Sequence, residues 1–197
     1  MARPLHLVVG LGNPGREHEG NRHNVGFLVA DLLQSELGLP AFRDKFKARF
    51  ARGEGSFGGE RVDVALLEPQ TYMNLSGESV QPAAAFLKVP PERIIVVHDE
   101  VDLGWKDVRL KMGGGHAGNN GVRSIIQMLG TPDFVRVRVG IGKPPSGFRG
   151  DMADYVLSGF DAVERAELPA VVDVAAAAVR RVILEGLAPA MKAVNTR

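Results

Sequence analysis

The chain is 197 residues long, about the size of one compact domain, and its 45% hydrophobic content can supply a sizeable core. Its 24 basic and 23 acidic residues nearly cancel, which excludes a globally cationic polyanion binder and confines any nucleic-acid surface to a local patch. Cysteine is absent, so disulfides, zinc-thiolate sites and thiol nucleophiles are excluded together, a composition suited to a reducing cytosol.

The opening MARPLHLVVGLG lacks a signal-peptide cleavage pattern, and no stretch approaches the roughly 20 apolar residues of a membrane span. A cytoplasmic protein without a membrane partner is expected. Residues 5–9 read as a buried strand, and Asn24 reads as the cap of a helix that runs to residue 37, where Gly38 and Pro40 stop it. Residues 45–52 alternate basic and apolar side chains and residues 61–67 repeat a strand pattern, which predicts a hairpin across the Gly-rich EGSFGG. A helix over residues 76–88 follows, with a kink or a later start imposed by Pro82. Strands at 93–98 and 108–112, a helix at 122–129 and a strand at 134–141 complete an alternating α/β order. GKPPSGFRGDM reads as a mobile loop. Asp161 with Glu164 reads as a capping box that opens a last long helix, AVERAELPAVVDVAAAAVRRVILEG, bent near its start by Pro169.

LVVGLGNPG places Gly10-x-Gly12-x-x-Gly15 directly after the first strand, the spacing of a dinucleotide-binding turn. In that fold a helix starts at the third glycine, and an acidic residue about 20 positions on takes the ribose from the end of a second strand. Here REHEGNRH delays the helix and Asp31 falls inside it, so no nucleotide cofactor is expected. The loop reads instead as a wall of a site at the carboxyl end of the first strand, where Asn13 stands.

REHEGNRHN invites a metal reading, but His18 and His23 lie five apart, one more than the spacing that sets two imidazoles on one helical face. Taken alone, His23 is either a helix-entry residue with a local hydrogen bond or a functional base. His98-Asp99-Glu100 ends an apolar strand, a usual place for functional side chains; a plain turn and a carboxylate metal site are the other readings. Asn74, just ahead of a helix start, serves as a cap or holds an anion or carbonyl. KMGGGHAGNNG is a flexible loop that offers the amides of Asn119 and Asn120, and without a following Gly-Lys-Ser/Thr it is not a phosphate loop. No serine satisfies G-x-S-x-G. What remains is a histidine, an aspartate and several asparagines, a set suited to a base-activated water whose attack on a carbonyl is stabilised by amide donors. Arg43, Lys45, Lys47, Arg49 and Arg52 on the hairpin, with Lys111, Arg136 and Arg138, either bind phosphates or form solvated strand faces.

Taken together, VGLGNPG, NRHNVG, YMNLSG, HDEVDL and GGGHAGNNG come in the order and spacing of bacterial peptidyl-tRNA hydrolase, and the whole chain resembles that family. The resemblance implies a monomeric, metal-independent enzyme without a cofactor that hydrolyses the ester joining a peptide to the 3′ ribose of tRNA, recycling tRNA from stalled translation. The implied partner is peptidyl-tRNA, engaged through its 3′ CCA end and acceptor stem. On that mapping His23 is the general base for water and Asp99 the carboxylate that supports its basic form. Asn13 matches the residue that tells a blocked amino group from a free aminoacyl one. Asn74 and Asn120 match amides that contact the substrate end of the tRNA, Tyr72 an aromatic beside them, and Lys111 and Arg138 basic residues near the 5′ phosphate. The expected architecture is a single domain over residues 1–197, a three-layer sandwich with a mixed, largely parallel sheet flanked by helices.

Three positions depart from the family's usual pattern. His18 stands where a binding Tyr is usual, Asn21 replaces the Thr of TRHN, and Asn119 replaces the His of GHNG. An asparagine at 119 hydrogen-bonds but does not titrate. Two other functions are compatible with such a scaffold: a non-catalytic RNA-binding protein, which the joint presence of His23 and Asp99 argues against, and a metal-dependent peptidase, which chelator sensitivity would reveal.

Overall fold

Side-chain alternation along β1 (His6–Gly10) organises the molecule: Leu7 and Val9 enter one hydrophobic cluster and Val8 the other, so the strand is buried on both faces. The computed structural model describes residues 3–196. After β1 come two 3-10 turns, Arg16–His18 and Arg22–Asn24, then α1 (Val25–Leu37), β2 (Arg43–Lys45), β3 (Ala48–Phe57) and β4 (Glu60–Pro69). A 3-10 turn at Met73–Leu75 leads into α2 (Gly77–Leu87), β5 (Ile94–Glu100), β6 (Val108–Met112), α3 (Asn120–Leu129) and β7 (Val135–Gly140). The helices α4 (Met152–Val156), α5 (Ala162–Glu185) and α6 (Leu187–Asn195) follow.

One seven-stranded sheet has the order β2-β3-β4-β1-β5-β7-β6. The central strands β4, β1, β5 and β7 run parallel, whereas β2, β3 and β6 join antiparallel. Helices α1 and α5 cover one face through Val29, Leu33, Val172 and Val179; α2 and α3 cover the other through Val80, Ala83, Val122 and Ile125. This is the expected three-layer sandwich. Every residue of β5 is buried, which is why its sequence reads as a continuous apolar run and not as an alternation.

Close helix-to-sheet contact places the start of α1. A Cβ on Gly26 would stand 2.5 Å from both Leu11 N and Val97 O, and one on Gly10 would stand 2.2 Å from Gly26 O. The bare backbones let α1 press onto the junction of β1 and β5, which holds the preceding 3-10 turn, with His23, at the carboxyl ends of those strands.

Several local expectations shift. The hairpin is longer than its alternating core suggests, since residues Glu54–Phe57 are strand and only Gly58-Gly59 turn, both with positive φ (55° and 86°). Helix α2 runs through Pro82, which lies on the exposed face where water can take the carbonyl bond a proline cannot make. The Asp161/Glu164 capping box is present, and a second one, Asp151 with Asp154, opens α4 inside the stretch expected to be loop. Gly186 ends α5, and α6 continues across the sheet margin, where Asn195 Oδ1 accepts from Leu110 N at 2.8 Å and its Nδ2 donates to Leu110 O at 2.9 Å. No helix among the described residues is long and apolar enough to cross a membrane.

Candidate active site

The carboxyl ends of β1 and β5, the 3-10 turns, the start of α3 and helix α4 surround a cavity of about 750 Å³. His23 and Asp99, 76 residues apart in sequence, meet in it: the imidazole Nδ1 lies 2.8 and 2.9 Å from the two carboxylate oxygens. Both are buried, at 9% and 3% exposure. With Nδ1–H donating to Asp99, the neutral ring keeps its lone pair on Nε2, the atom left to act on a ligand. Burial disfavours the imidazolium, but the Asp99 charge and its hydrogen bond outweigh this, and the His23 pKa is raised. His98 is not part of the site. Its Nδ1 donates to the Asp99 carbonyl at 2.8 Å, and burial lowers its pKa.

Asn13 is held on three sides. Its Oδ1 accepts from Met73 N at 2.7 Å, and its backbone N–H and C=O both bond the side chain of Asn24, at 2.8 and 2.9 Å. Only its side-chain NH₂ remains to face a ligand. The expected capping role of Asn24 is thereby corrected: its amide makes no cap bond to α1, because both ends are committed to Asn13.

Asn74 and Asn120 line the same cavity from the Met73–Leu75 turn and the first residue of α3, both exposed, and Asn74 makes no cap bond to α2. Tyr72, 64% exposed, and His18 also line it. Two of the three departures from the family pattern adjoin: Asn21 Nδ2 donates to His18 Nδ1 at 3.2 Å. The third, Asn119, caps α3 by accepting from Val122 N at 3.0 Å, while its NH₂ lies 3.4 Å from Asp99 Oδ1. Lys111 and Arg138 lie outside the cavity, on β6 and β7. Arg138 Nε donates at 3.0 Å to Glu100 Oε1, and Glu100 does line the cavity. Register puts Lys111 opposite Arg136 and Arg109 opposite Arg138, so four cationic side chains share one face of this sheet margin. Arg109 and Arg138 on this margin pair with Asp107 and Glu100; on the hairpin Lys47 and Arg52 likewise pair with Glu78 and Asp63, and Arg49 lies 3.4 Å from the buried carboxyl of Glu68.

Helix α4, which reads as loop in the sequence, supplies an apolar wall through Met152, Ala153, Val156 and Leu157. A second cavity of about 330 Å³ lies behind Asn13 and Asn24 and is bordered by the fully buried Glu68 and by Asp31. Burial, then the hydrogen bond and charge of Asp31, push the Glu68 carboxyl up to about 9, against the opposing pull of Arg49. Among the described residues no group of three or more His, Cys, Asp or Glu side chains is placed to hold a metal ion.

The sequence profile of a family described as Peptidyl-tRNA hydrolase matches residues 7–197. This chain belongs to that family. A peptidyl-tRNA hydrolase from Sorangium cellulosum is 56% identical over 191 residues, covering 97% of this chain and 84% of that one. One from Mycolicibacterium smegmatis is 48% identical over 195 residues, covering 99% of each. The crystal structure of peptidyl-tRNA hydrolase from Acinetobacter baumannii superposes with a TM-score of 0.85 at 38% identity, over 100% of this chain and 97% of that one. The fold described above is therefore shared with a solved peptidyl-tRNA hydrolase, and the cavity can be read in terms of that family's chemistry.

Proposed function

We propose that this chain hydrolyses the ester joining a peptide or N-blocked aminoacyl group to the 3′ ribose of tRNA, with His23 as general base and Asp99 as its support. The observation that carries the reading is the buried His23–Asp99 pair, which leaves Nε2 as the ring's acceptor in a cavity lined by four asparagines. Nε2 takes a proton from water as its oxygen attacks the ester carbonyl. Amide donors from Asn13, Asn74 and Asn120 steady the oxyanion that develops. Collapse of the tetrahedral intermediate breaks the bond to the ribose oxygen, which recovers the proton from the imidazolium, so free tRNA and a peptide carboxylate leave.

Asn13 has its carbonyl oxygen engaged by Met73, so it meets the substrate as a donor. A donor suits the carbonyl of a blocked amino group and repels a free ammonium, which is the discrimination this reaction needs. Tyr72 and His18 flank the 3′ CCA end. Lys111 and Arg138, on the cationic margin, take phosphates of the acceptor stem. We assign the enzyme to the cytoplasm, as a monomer without a metal or nucleotide cofactor.

Cleavage of N-acetyl-aminoacyl-tRNA tests the reading. The wild-type protein should release the acyl group, and His23→Ala should fold normally by circular dichroism while losing about 10²–10⁴-fold in rate. Full activity in His23→Ala would refute the assignment; tRNA binding without turnover in the wild type would favour a non-catalytic RNA-binding protein.

A further inference from the structure

One side of the cavity is closed by a helix that cannot stand alone. Helix α4 has five residues, too few to persist unaided in water, and follows the Gly- and Pro-rich residues 142–150. Its position depends on what grips it. Met152, Ala153, Val156 and Leu157 face the cavity, while Tyr155 is buried at 3% exposure and donates its hydroxyl to Ile141 O at 2.9 Å.

Phe148 packs edge-on against the Tyr155 ring at 5.4 Å, and a further part of the grip comes from the turn that carries His23. The Arg22 guanidinium lies 4.6 Å from the centre of the Tyr155 ring and 5.2 Å from that of Phe160. Its Nη1 donates to Glu164 Oε1 at 2.9 Å, the same carboxylate that closes the Asp161 capping box of α5. Arg22 N donates to Ser158 O at 2.9 Å, and Asn21 bridges Gly159. At 8% exposure the cation is largely desolvated, which strengthens its hold on the aromatic faces. The α4 sequence, MADYV, carries no basic residue, so the wall it forms suits the side chains of a peptide and not the phosphates of tRNA.

We infer that Arg22 is a positioning residue for the acyl side of the cleft: its guanidinium ties the α4 wall to the turn bearing His23, so that wall and base keep a fixed separation when a peptide enters. The inference rests on reading the cavity as a peptidyl-ester site, and the two are tested apart. Arg22→Gln removes the cation and the ion pair; Tyr155→Leu removes the ring and leaves Arg22 in place.

In either variant, amide hydrogen exchange across residues 151–157 should accelerate about 10-fold while the middle of α5 stays protected. This measurement needs no substrate, so it decides the grip on α4 even if the cleft acts on a different ester. With N-acetyl-aminoacyl-tRNA, KM should rise about 10-fold with kcat within about 2-fold, a loss of binding and not of chemistry. The acidic limb of the pH profile should stay in place, because the His23–Asp99 bond is untouched. Arg22→Lys, which keeps a cation over the ring, should recover most of the KM. A stabilising residue without a positioning role would lower thermal stability and leave KM and α4 exchange alone. Unchanged exchange in α4, or a loss confined to kcat, overturns the inference, and Tyr155→Leu carries the same test if Arg22→Gln does not fold.

Discussion

Asn24 grips the backbone of Asn13 in both directions, accepting from its N–H at 2.8 Å and donating to its C=O at 2.9 Å. Two opposed bonds set orientation as well as distance, so the residue after His23 determines where the amide of Asn13 stands. Asn24→Ala leaves a buried donor and a buried acceptor without partners, and a loss of about 2–4 kcal/mol is expected by chemical denaturation. Turnover should fall by about 10–100-fold as Asn13 loses its placement. A stability loss under about 0.5 kcal/mol would show that the tie is idle.

Asp99→Asn separates the charge of the support from its shape. The base works only when neutral, so activity falls as pH drops through the His23 pKa, and Asp99 keeps that pKa raised. Removing the charge should move the acidic limb of the pH–rate profile to lower pH and lower the plateau, since a weaker base accepts the proton less readily. In linkage terms a raised histidine pKa contributes stability below the ordinary value of about 6.5 and loses it as pH climbs through the folded value. The stability gap between wild type and Asp99→Asn should therefore narrow toward alkaline pH.

Glu68 makes the opposite kind of pH prediction. The native state keeps its proton up to about 9, whereas the unfolded chain releases it near the ordinary carboxyl value of 4.5. Stability therefore declines across that window as pH rises. Glu68→Gln, neutral and of the same shape, should flatten the decline, matching the wild type near pH 5 and exceeding it by about 1–3 kcal/mol near pH 8. Parallel denaturation midpoints for the two proteins across this range would show that Glu68 is ionised in the native state.

Gly26→Ala should cost about 2–4 kcal/mol, because the added Cβ meets the backbone atoms Leu11 N and Val97 O at 2.5 Å and neither can swing aside. Since α1 carries the His23 turn, kcat should fall with stability. A variant of normal stability would mean that α1 shifts freely on the sheet, and the melting temperature reads this directly.

The strands were legible because burial on two faces demands uninterrupted Val and Ile, as in residues Ile94–Val97 of β5, and their ends marked Asp99. The partnership of Asp99 with His23 had no local signal: the two meet only because Gly26 lets α1 settle between β1 and β5. The bonding of Asn24 is hidden from the sequence for a related reason. An asparagine ahead of an apolar helix looks the same whether its amide turns to its own helix or to the loop after β1, 11 residues earlier. Helix α4 was hidden by the composition around it, although Asp151-x-x-Asp154 was a readable capping signature. The departures at positions 18 and 21 make sense only in space, where Asn21 donates to His18 and each explains the other.

Asn195 occupies both outward-facing backbone groups of Leu110 on the last strand of the sheet, and the opposite margin is a strand of three residues. On the β6 border Asn195 thereby interrupts the row of vacant amides that could template another chain, whereas on the opposite side β2 covers only residues 48–50 of β3. At the β6 border copies are thus kept from zipping together sideways, and truncation ahead of α6 would be the change that invites fibre-like association there.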